Sequence, residues 1–97
     1  KTWAMELGPC NIRVNALCPA SVSGCRIDGV IERDALARGV TAEAVREVYQ
    51  RQSSLRTFTR PEDISAMVCY LAGPGGQRIS GQAIALDGHT ETLTNWL

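Results

Sequence analysis

The stretch NIRVNALCPA, residues 11–20, decides the fold of this chain. Apolar and polar residues alternate over its first half, and it then stays apolar up to a proline. Alternation followed by an apolar run predicts a mostly buried strand over residues 11–18. Pro19 has no N–H and a fixed φ, so the hydrogen-bond ladder should end there.

The residues around this strand predict half of a βαβ unit. Residues 1–8 look like the last turns of a helix, with Gly8 in the left-handed position past its end and Pro9 preventing continuation. In open α/β sheets, ligands bind outside the carboxyl ends of the strands. The loop over residues 19–25 is therefore the first place to look for function.

The composition argues against several function classes. The 97 residues carry ten basic and ten acidic side chains, which argues against nucleic acid or an anionic membrane as the main partner. No apolar run approaches the roughly 18 residues of a membrane span. Four cysteines without CxxC spacing predict free thiols in a reducing cytoplasm, and no residue grouping has metal-ligand spacing, so no metal is expected.

The remaining residues predict further helices and a second strand. Residues 26–53 predict two short helices, the first ended by Gly39 and the second capped by Thr41. Residues 61–72 predict the clearest helix, since a proline opens it and apolar residues repeat at helical spacing. Residues 82–87 predict the second strand, and residues 88–97 a C-terminal tail. The core residues expected on the 61–72 helix are Met67, Val68 and Leu71.

The predicted topology is that of an incomplete sheet. Two strands joined by a long helical crossover should be parallel and right-handed. Parallel strands are normally covered on both faces, and a two-stranded sheet is rarely stable alone. The sequence therefore predicts a single incomplete α/β domain, one edge of a larger sheet. The rest should come from upstream residues, as an opening on Lys1 without an initiator Met suggests, or from another copy of the chain.

Several short motifs occur in a recognisable order. They are MELGP at residues 5–9, IRVN at residues 12–15, PEDI at residues 61–64, ISGQ at residues 79–82, and the single residues Pro19, Arg56, Asp87 and Gly88. Each motif is weak alone, but together they resemble the C-terminal portion of a classical short-chain dehydrogenase/reductase. The resemblance implies the last two strands of a doubly wound Rossmann fold. It also implies that the complete enzyme binds NAD or NADP and transfers a hydride between nicotinamide and a small-molecule alcohol or ketone.

The family's catalytic groups have no counterpart here. Its Gly-rich phosphate turn, catalytic Ser and Tyr-x-x-x-Lys pair would lie upstream of the helix that ends at Leu7, so no catalytic residue is assigned. Lys1 has no Tyr four residues before it and lies too near the MELGP motif, so it is expected to face solvent. The residue that chooses between NAD and NADP also lies upstream, so that choice stays open, as does the substrate.

The resemblance places the cofactor contacts in the loop after the first strand. In the family, backbone N–H groups and a Thr hydroxyl of this loop hold the nicotinamide carboxamide. Gly24 stands where Thr is usual, so Ser23 is the candidate for the hydroxyl, and a backbone contact from Val22 is expected to survive. The cofactor-binding candidates are Pro19, Ala20, Val22, Ser23 and Gly24.

Residues 26–53 match the family's substrate-binding flap, which varies in sequence. Its apolar candidates are expected to line a pocket or to pack under it, and they are Ile27, Val30, Ile31 and Tyr49.

Other polar residues predict structural roles. Arg13 and Asn15 are expected to bond to backbone or adjoining helices. His89 is expected at the surface or an interface. Ser53 and Ser54 are expected to be connector hydroxyls, since no His–Asp arrangement supports a nucleophile.

Three interpretations follow. The first is the C-terminal segment of an NAD(P)-dependent short-chain oxidoreductase, supplying the nicotinamide-side loop, the substrate flap and a subunit interface in a homo-oligomer. The second is a non-catalytic binding or oligomerisation module derived from that family, in which two copies complete a sheet. The third is a full-length enzyme whose upstream residues have been cleaved.

Overall fold

The computed structural model describes residues 1–90, so most of the tail expected over residues 88–97 lies outside the described part. Along these residues, one α-helix precedes a small two-stranded sheet and three α-helices separate its two strands. The elements are α1 (Thr2–Leu7), β1 (Ala16–Pro19), α2 (Cys25–Arg38), α3 (Ala42–Gln50), α4 (Pro61–Ala72) and β2 (Ala83–Leu86), with 3-10 turns at Gly8–Cys10 and Pro74–Gly76.

The two strands pair in parallel, which confirms the predicted α/β class. Ala16 lies opposite Ala83, and Pro19 lies opposite Leu86. Both strands are shorter than the predicted 11–18 and 82–87. Residues 11–15 hydrogen-bond to the segment before β2 partly through side chains, as where the Val14 N–H donates to the Ser80 hydroxyl at 3.1 Å, so a regular ladder begins only at residue 16.

The prediction that the first strand is mostly buried is wrong for the described chain. Three of the four β1 residues are exposed, and only Leu17 is half-buried. The radius of gyration is 17.1 Å, against about 13 Å for a compact domain of this length. Within residues 1–90 the sheet has two strands and its faces are largely uncovered, as expected for one edge of a larger sheet.

α2 and α3 pack against each other around a core of their own. Gly39 ends α2 with a left-handed φ of 69°, and the Thr41 hydroxyl accepts a hydrogen bond from the Ala44 N–H at 3.2 Å at the start of α3. Both ends are as predicted. The buried apolar side chains of these helices and the following connector are Ile31, Ala35, Val45, Val48 and Phe58.

α4 begins at Pro61 as predicted, but only part of its apolar stripe is covered. Leu71 is buried, Met67 is half-buried, and Val68 is 50% exposed. The expectation that all three are core residues is therefore wrong for Val68, because within residues 1–90 nothing covers that part of the apolar stripe of α4.

The end of α1 also differs from the prediction. Gly8 has a right-handed φ of −55°, and the chain continues into the 3-10 turn that contains Pro9. The left-handed residue is Asn11, with φ of 61°. Asparagine tolerates this conformation better than most residues, because its short polar side chain can bond locally.

The two polar residues before β1 bond to backbone, as predicted. Arg13 Nη1 donates to the carbonyl oxygens of Leu71 and Gly76, the latter at 2.7 Å, and Asn15 Nδ2 donates to the Ile79 carbonyl at 2.9 Å. These bonds hold the turn after α4 beside the entry to β1. Among residues 1–90, no helix is long and apolar enough to cross a membrane.

Candidate functional site

A cleft of about 440 Å³ opens beyond the carboxyl end of β1, where the loop runs into the first turns of α2. It brings four of the five cofactor candidates together with two of the four flap candidates. Its lining residues are Ala20, Ser21, Val22, Ser23, Gly24, Cys25, Arg26, Ile27 and Val30.

Backbone hydrogen bonds fix this loop against the connector before α4. The Ser23 N–H donates to the Thr59 carbonyl at 2.8 Å, and the Thr59 N–H donates to the Ser21 carbonyl at 3.0 Å. The Thr59 hydroxyl in turn donates to the carbonyl of Leu86, the last residue of β2. The loop is therefore held at the carboxyl ends of both strands.

This bonding pattern leaves the backbone of Val22 available. Val22 and Thr59 form a parallel bridge, and in that geometry the N–H and C=O of Val22 point away from Thr59. Within residues 1–90, neither group has a hydrogen-bond partner. The loop thus offers a half-buried, unpaired N–H donor at the cleft, the kind of group that binds an amide or carbonyl oxygen.

The backbone conformation at position 24 favours glycine over the threonine that is usual in the family. Gly24 precedes α2 with φ of 144°, a conformation that side chains with a Cβ rarely adopt, although a Cβ there would meet open space. A hydroxyl at position 24 would therefore require a different backbone path. Gly24 contributes loop shape to the cleft.

The hydroxyl of Ser23 is already engaged. Its Oγ lies 3.3 Å from the Thr59 carbonyl and donates to it, so it strengthens the loop anchor. A contact from this hydroxyl to a ligand would need the side chain to rotate away. Of the predicted cofactor contacts, the backbone of Val22 fits the observed geometry best.

The flap candidates divide into two groups. Ile27 and Val30 line the cleft, whereas Ile31 is completely buried in the core between α2 and α3. Tyr49 packs against that core, and its hydroxyl donates to Asp34 at 3.1 Å. Both therefore belong to the packing of α2 against α3 and not to the cleft lining. Pro19 ends β1 and lies outside the cleft lining.

The environment of Tyr49 suits a structural role. Burial is the main cause that raises the pKa of its phenol above the ordinary value, and the bond to the Asp34 carboxylate adds to it. A phenol with a raised pKa is a poorer proton donor near neutral pH. This supports a packing and bridging function for Tyr49.

The cleft carries little charge. Within residues 1–90, Arg26 is the one cationic side chain that lines it, and no carboxylate does. Among the described residues, no group of His, Cys, Asp and Glu is arranged to hold a metal ion. The mostly apolar lining with few polar groups is typical of small-molecule sites.

One contact at the carboxyl end of β2 could not be predicted from the sequence. Ser54 Oγ lies against His89 Nδ1, and the Ser54 N–H donates to the His89 carbonyl at 3.0 Å. Asp87 accepts from the His89 backbone N–H, not from its imidazole, so the three residues do not form a catalytic triad. The contact joins residues 35 positions apart, which no local pattern shows. It ties the connector to the end of β2.

The sequence and the fold both match known proteins. A family model described as enoyl-(acyl carrier protein) reductase matches residues 1–89. The chain is 32% identical over 89 residues to a D-beta-hydroxybutyrate dehydrogenase of Rhizobium meliloti. It is 34% identical over 88 residues to a 3-oxoacyl-(acyl-carrier-protein) reductase of Thermotoga maritima. Each match covers 91% of this chain but only 34% and 31% of the relatives, so the chain spans about a third of their length.

Solved structures agree. A short chain dehydrogenase family protein from Francisella tularensis superposes with a TM-score of 0.85 at 25% identity, over 91% of this chain and 36% of that one. An actinorhodin polyketide ketoreductase solved with NADPH superposes with a TM-score of 0.78 at 28% identity, over 90% and 33%. The motifs, the parallel strands and the matched relatives coincide, and the chain belongs to the short-chain dehydrogenase/reductase family.

Proposed function

We propose that this chain forms the nicotinamide side and the substrate flap of an NAD(P)-dependent oxidoreductase that interconverts an alcohol and a carbonyl. The observation that supports it most directly is the unpaired Val22 N–H beside a cleft at the carboxyl end of β1. Members of the family, such as the ketoreductase solved with NADPH, bind a nicotinamide cofactor. When bound, the cofactor supplies the hydride chemistry.

The residues of this chain would bind and orient. The Val22 N–H would donate to the carboxamide and fix which face of the ring meets the substrate. Ile27 and Val30 would supply apolar surface that excludes water from the reacting groups. Neither Tyr49 nor Tyr70 is followed by Lys four residues later, so the proposal assigns proton transfer to groups outside these 97 residues.

A small-molecule alcohol or ketone is the proposed substrate, and the cytoplasm is the proposed compartment. The four cysteines are free and exposed, which suits a reducing environment.

A pair of substitutions at Val22 tests the cofactor contact. Val22→Pro removes the N–H, which has no partner within residues 1–90, so no internal hydrogen bond is broken. Loss of one hydrogen bond to the ligand should weaken NADH or NADPH binding by the complete enzyme about tenfold in a fluorescence titration. Val22→Ala keeps the N–H and should bind within about twofold. Equal weakening by both variants, or by neither, would contradict the contact.

The second candidate is a non-catalytic oligomerisation module. The accessible surface is 7014 Å², against about 5,400 Å² for a compact monomer of this mass. The excess of about 1,600 Å² is roughly twice the area of about 800 Å² that each partner contributes to a standard protein–protein interface. Light scattering with and without NADH would separate the candidates. With the phosphate-binding half of the family's fold present in the same protein, a homo-oligomer that binds NADH supports the enzyme segment, and an oligomer that does not bind NADH supports the module.

A further inference from the structure

A second cleft, of about 550 Å³, lies at the opposite end of the strands from the cofactor loop. Its residues come from the segment before β1 and from the turn between α4 and β2, so it sits at the amino ends of both strands. It is independent of the proposed cofactor site. Its lining residues are Asn11, Arg13, Ala72, Gly73, Pro74, Gln77 and Arg78.

The charge of this cleft is one-sided. Among the residues that the structure describes, Arg13 and Arg78 are its two ionisable lining side chains, and no carboxylate lines it. Elsewhere in residues 1–90, Arg38, Arg46 and Arg60 each pair with an aspartate, whereas Arg26, Arg33 and Arg56 stand singly without an acidic partner. Within residues 1–90, neither Arg13 nor Arg78 has an acidic partner. Two cations and two side-chain amides therefore face one open space without an anion.

Arg13 is held in place before any ligand arrives. Its bonds to the Leu71 and Gly76 carbonyls both leave from Nη1, and the residue is half-buried. Nε and Nη2 make no hydrogen bond within the described residues. These two nitrogens form the edge of the guanidinium that can bind an oxyanion with two parallel bonds. Because the side chain is already ordered, binding there loses less conformational entropy.

The helix end beside this cleft does not oppose an anion strongly. The C-terminal carbonyls of a helix carry partial negative charge, but several of those of α4 already accept hydrogen bonds. The Gly73 N–H donates to the carbonyls of Cys69 and Tyr70, and Arg13 donates to that of Leu71. These carbonyl oxygens therefore already accept hydrogen bonds from the protein, which reduces their repulsion of an anion in the cleft.

We propose that this cleft binds the phosphate group of a small phosphorylated molecule. A phosphate monoester carries about −1.5 to −2 charge at pH 7 and three acceptor oxygens. As a ligand for two arginines it therefore offers more charge and more acceptors than a carboxylate does. Arg13 supplies the fixed two-bond contact, and the exposed Arg78 closes over the other side. The volume lies within the range of small-molecule pockets, so the organic part of the molecule also has room.

Chemical-shift titration of the ¹⁵N-labelled protein tests the site. Glycerol 3-phosphate should give saturable shifts confined to residues around positions 11–13 and 72–78, at constant ionic strength. Acetate and chloride should give none that saturate. Shifts spread over the whole chain, or equal saturation by acetate, would overturn the proposal.

Arginine substitutions sharpen the test. Arg78→Ala removes one charged donor from an exposed position and should weaken glycerol 3-phosphate binding about tenfold. Arg33→Ala, an exposed arginine on α2 outside the cleft, should change it less than twofold. Equal weakening by the two variants would mean non-specific attraction and would overturn the site. Arg13→Lys keeps the charge but loses the two-bond edge, and should weaken binding by a similar factor to Arg78→Ala.

A titration with inorganic phosphate distinguishes a site for a phosphorylated small molecule from a site for free phosphate. Glycerol 3-phosphate binding at least as tightly as inorganic phosphate, at the same residues, supports a phosphorylated small molecule. Inorganic phosphate that binds while the monoester is excluded would overturn it in favour of free phosphate. Unchanged NADH binding in Arg78→Ala would show that this site stands apart from the proposed function.

Discussion

The α2–α3 pair and the β1–β2 sheet with α4 are stabilised in different ways. The helical pair buries Ile31, Val45 and Val48 completely, within the chain that is described. The sheet half leaves most of β1 and part of α4 exposed, and relies on close backbone contacts and on Arg13. The α2–α3 pair therefore carries its own core, whereas the sheet needs a covering that residues 1–90 do not provide.

The difference bears on the proposed function. A helical pair with its own core can keep its fold independently of what covers the sheet. The cleft at the carboxyl end of β1 lies where the two regions meet. There the bridge between Val22 and Thr59 joins the loop after β1 to the connector before α4. Substitutions that act on one region only can show whether this division holds in solution.

The largest effect is expected in the turn between α4 and β2. A Cβ at position 76 would overlap the Leu71 backbone, lying 2.6 Å from its Cα, and backbone cannot move aside cheaply. Gly76→Ala should destabilise the protein by at least about 3 kcal/mol, measured by urea unfolding. A Cβ at position 75 would lie 2.6 Å from Tyr70 Cε1, but that exposed ring can swing away.

Gly75→Ala is thus the matched control for this turn. It should cost less than about 1 kcal/mol. If the two alanine variants were equally stable, the close packing that holds the sheet half together would be absent in solution.

Two valines compare the regions directly. Val45 is fully buried in the core formed by α2 and α3, and Val68 on α4 is 50% exposed. Val45→Ala should cost about 2–3 kcal/mol, from lost burial and the cavity it leaves, whereas Val68→Ala should cost less than about 0.5 kcal/mol. Urea unfolding measures both. An equal cost would mean that another surface covers α4, and the contrast between the regions would fail.

Local signals explain what could be predicted of the fold. Pro61 with its apolar repeat predicted α4, Gly39 and Thr41 predicted the boundary between α2 and α3, and the strand pattern predicted a parallel pair. The extent of burial could not be predicted, because it depends on what packs over the sheet. The alternation over residues 11–15 indicated a strand, but local pattern does not reveal that these residues bond partly through side chains.

The sequence predicted which loop carries the candidate site, but not the role of each residue in it. The proline that ends β1 located this loop, and the cleft includes Val22, Ile27 and Val30. The roles of Ser23 and Gly24 depend on a hydrogen bond to Thr59 and on a backbone angle, and neither is visible in sequence. The cleft around Arg13 was not anticipated at all, since its two arginines are 65 residues apart.

A smaller effect is expected at the start of α3. The Thr41 hydroxyl accepts from the Ala44 N–H, which would otherwise lack a partner in the first helical turn. Thr41→Ala should cost about 1 kcal/mol in urea unfolding, and Thr41→Ser, which keeps the oxygen, should cost much less. A serine variant as unstable as the alanine variant would mean that the methyl group, and not the cap, stabilises the flap.

The smallest effect concerns the ion pair that starts α4. The Arg60 side chain, followed by its backbone N–H, holds the pKa of the Asp63 carboxyl below its ordinary value of 3.8. Because the folded pKa is the lower one, this contribution to stability is present above the ordinary pKa and is lost as the pH falls through the folded value. Asp63→Asn should therefore reduce the loss of stability in acid, seen as a flatter dependence of the urea midpoint on pH below about 4. The pair is exposed, so added salt should shrink the difference between the two proteins. An unchanged acid dependence in the Asn variant would show that the start of α4 is stabilised by Pro61 and helix geometry alone, which would make the sheet half still more dependent on its backbone contacts.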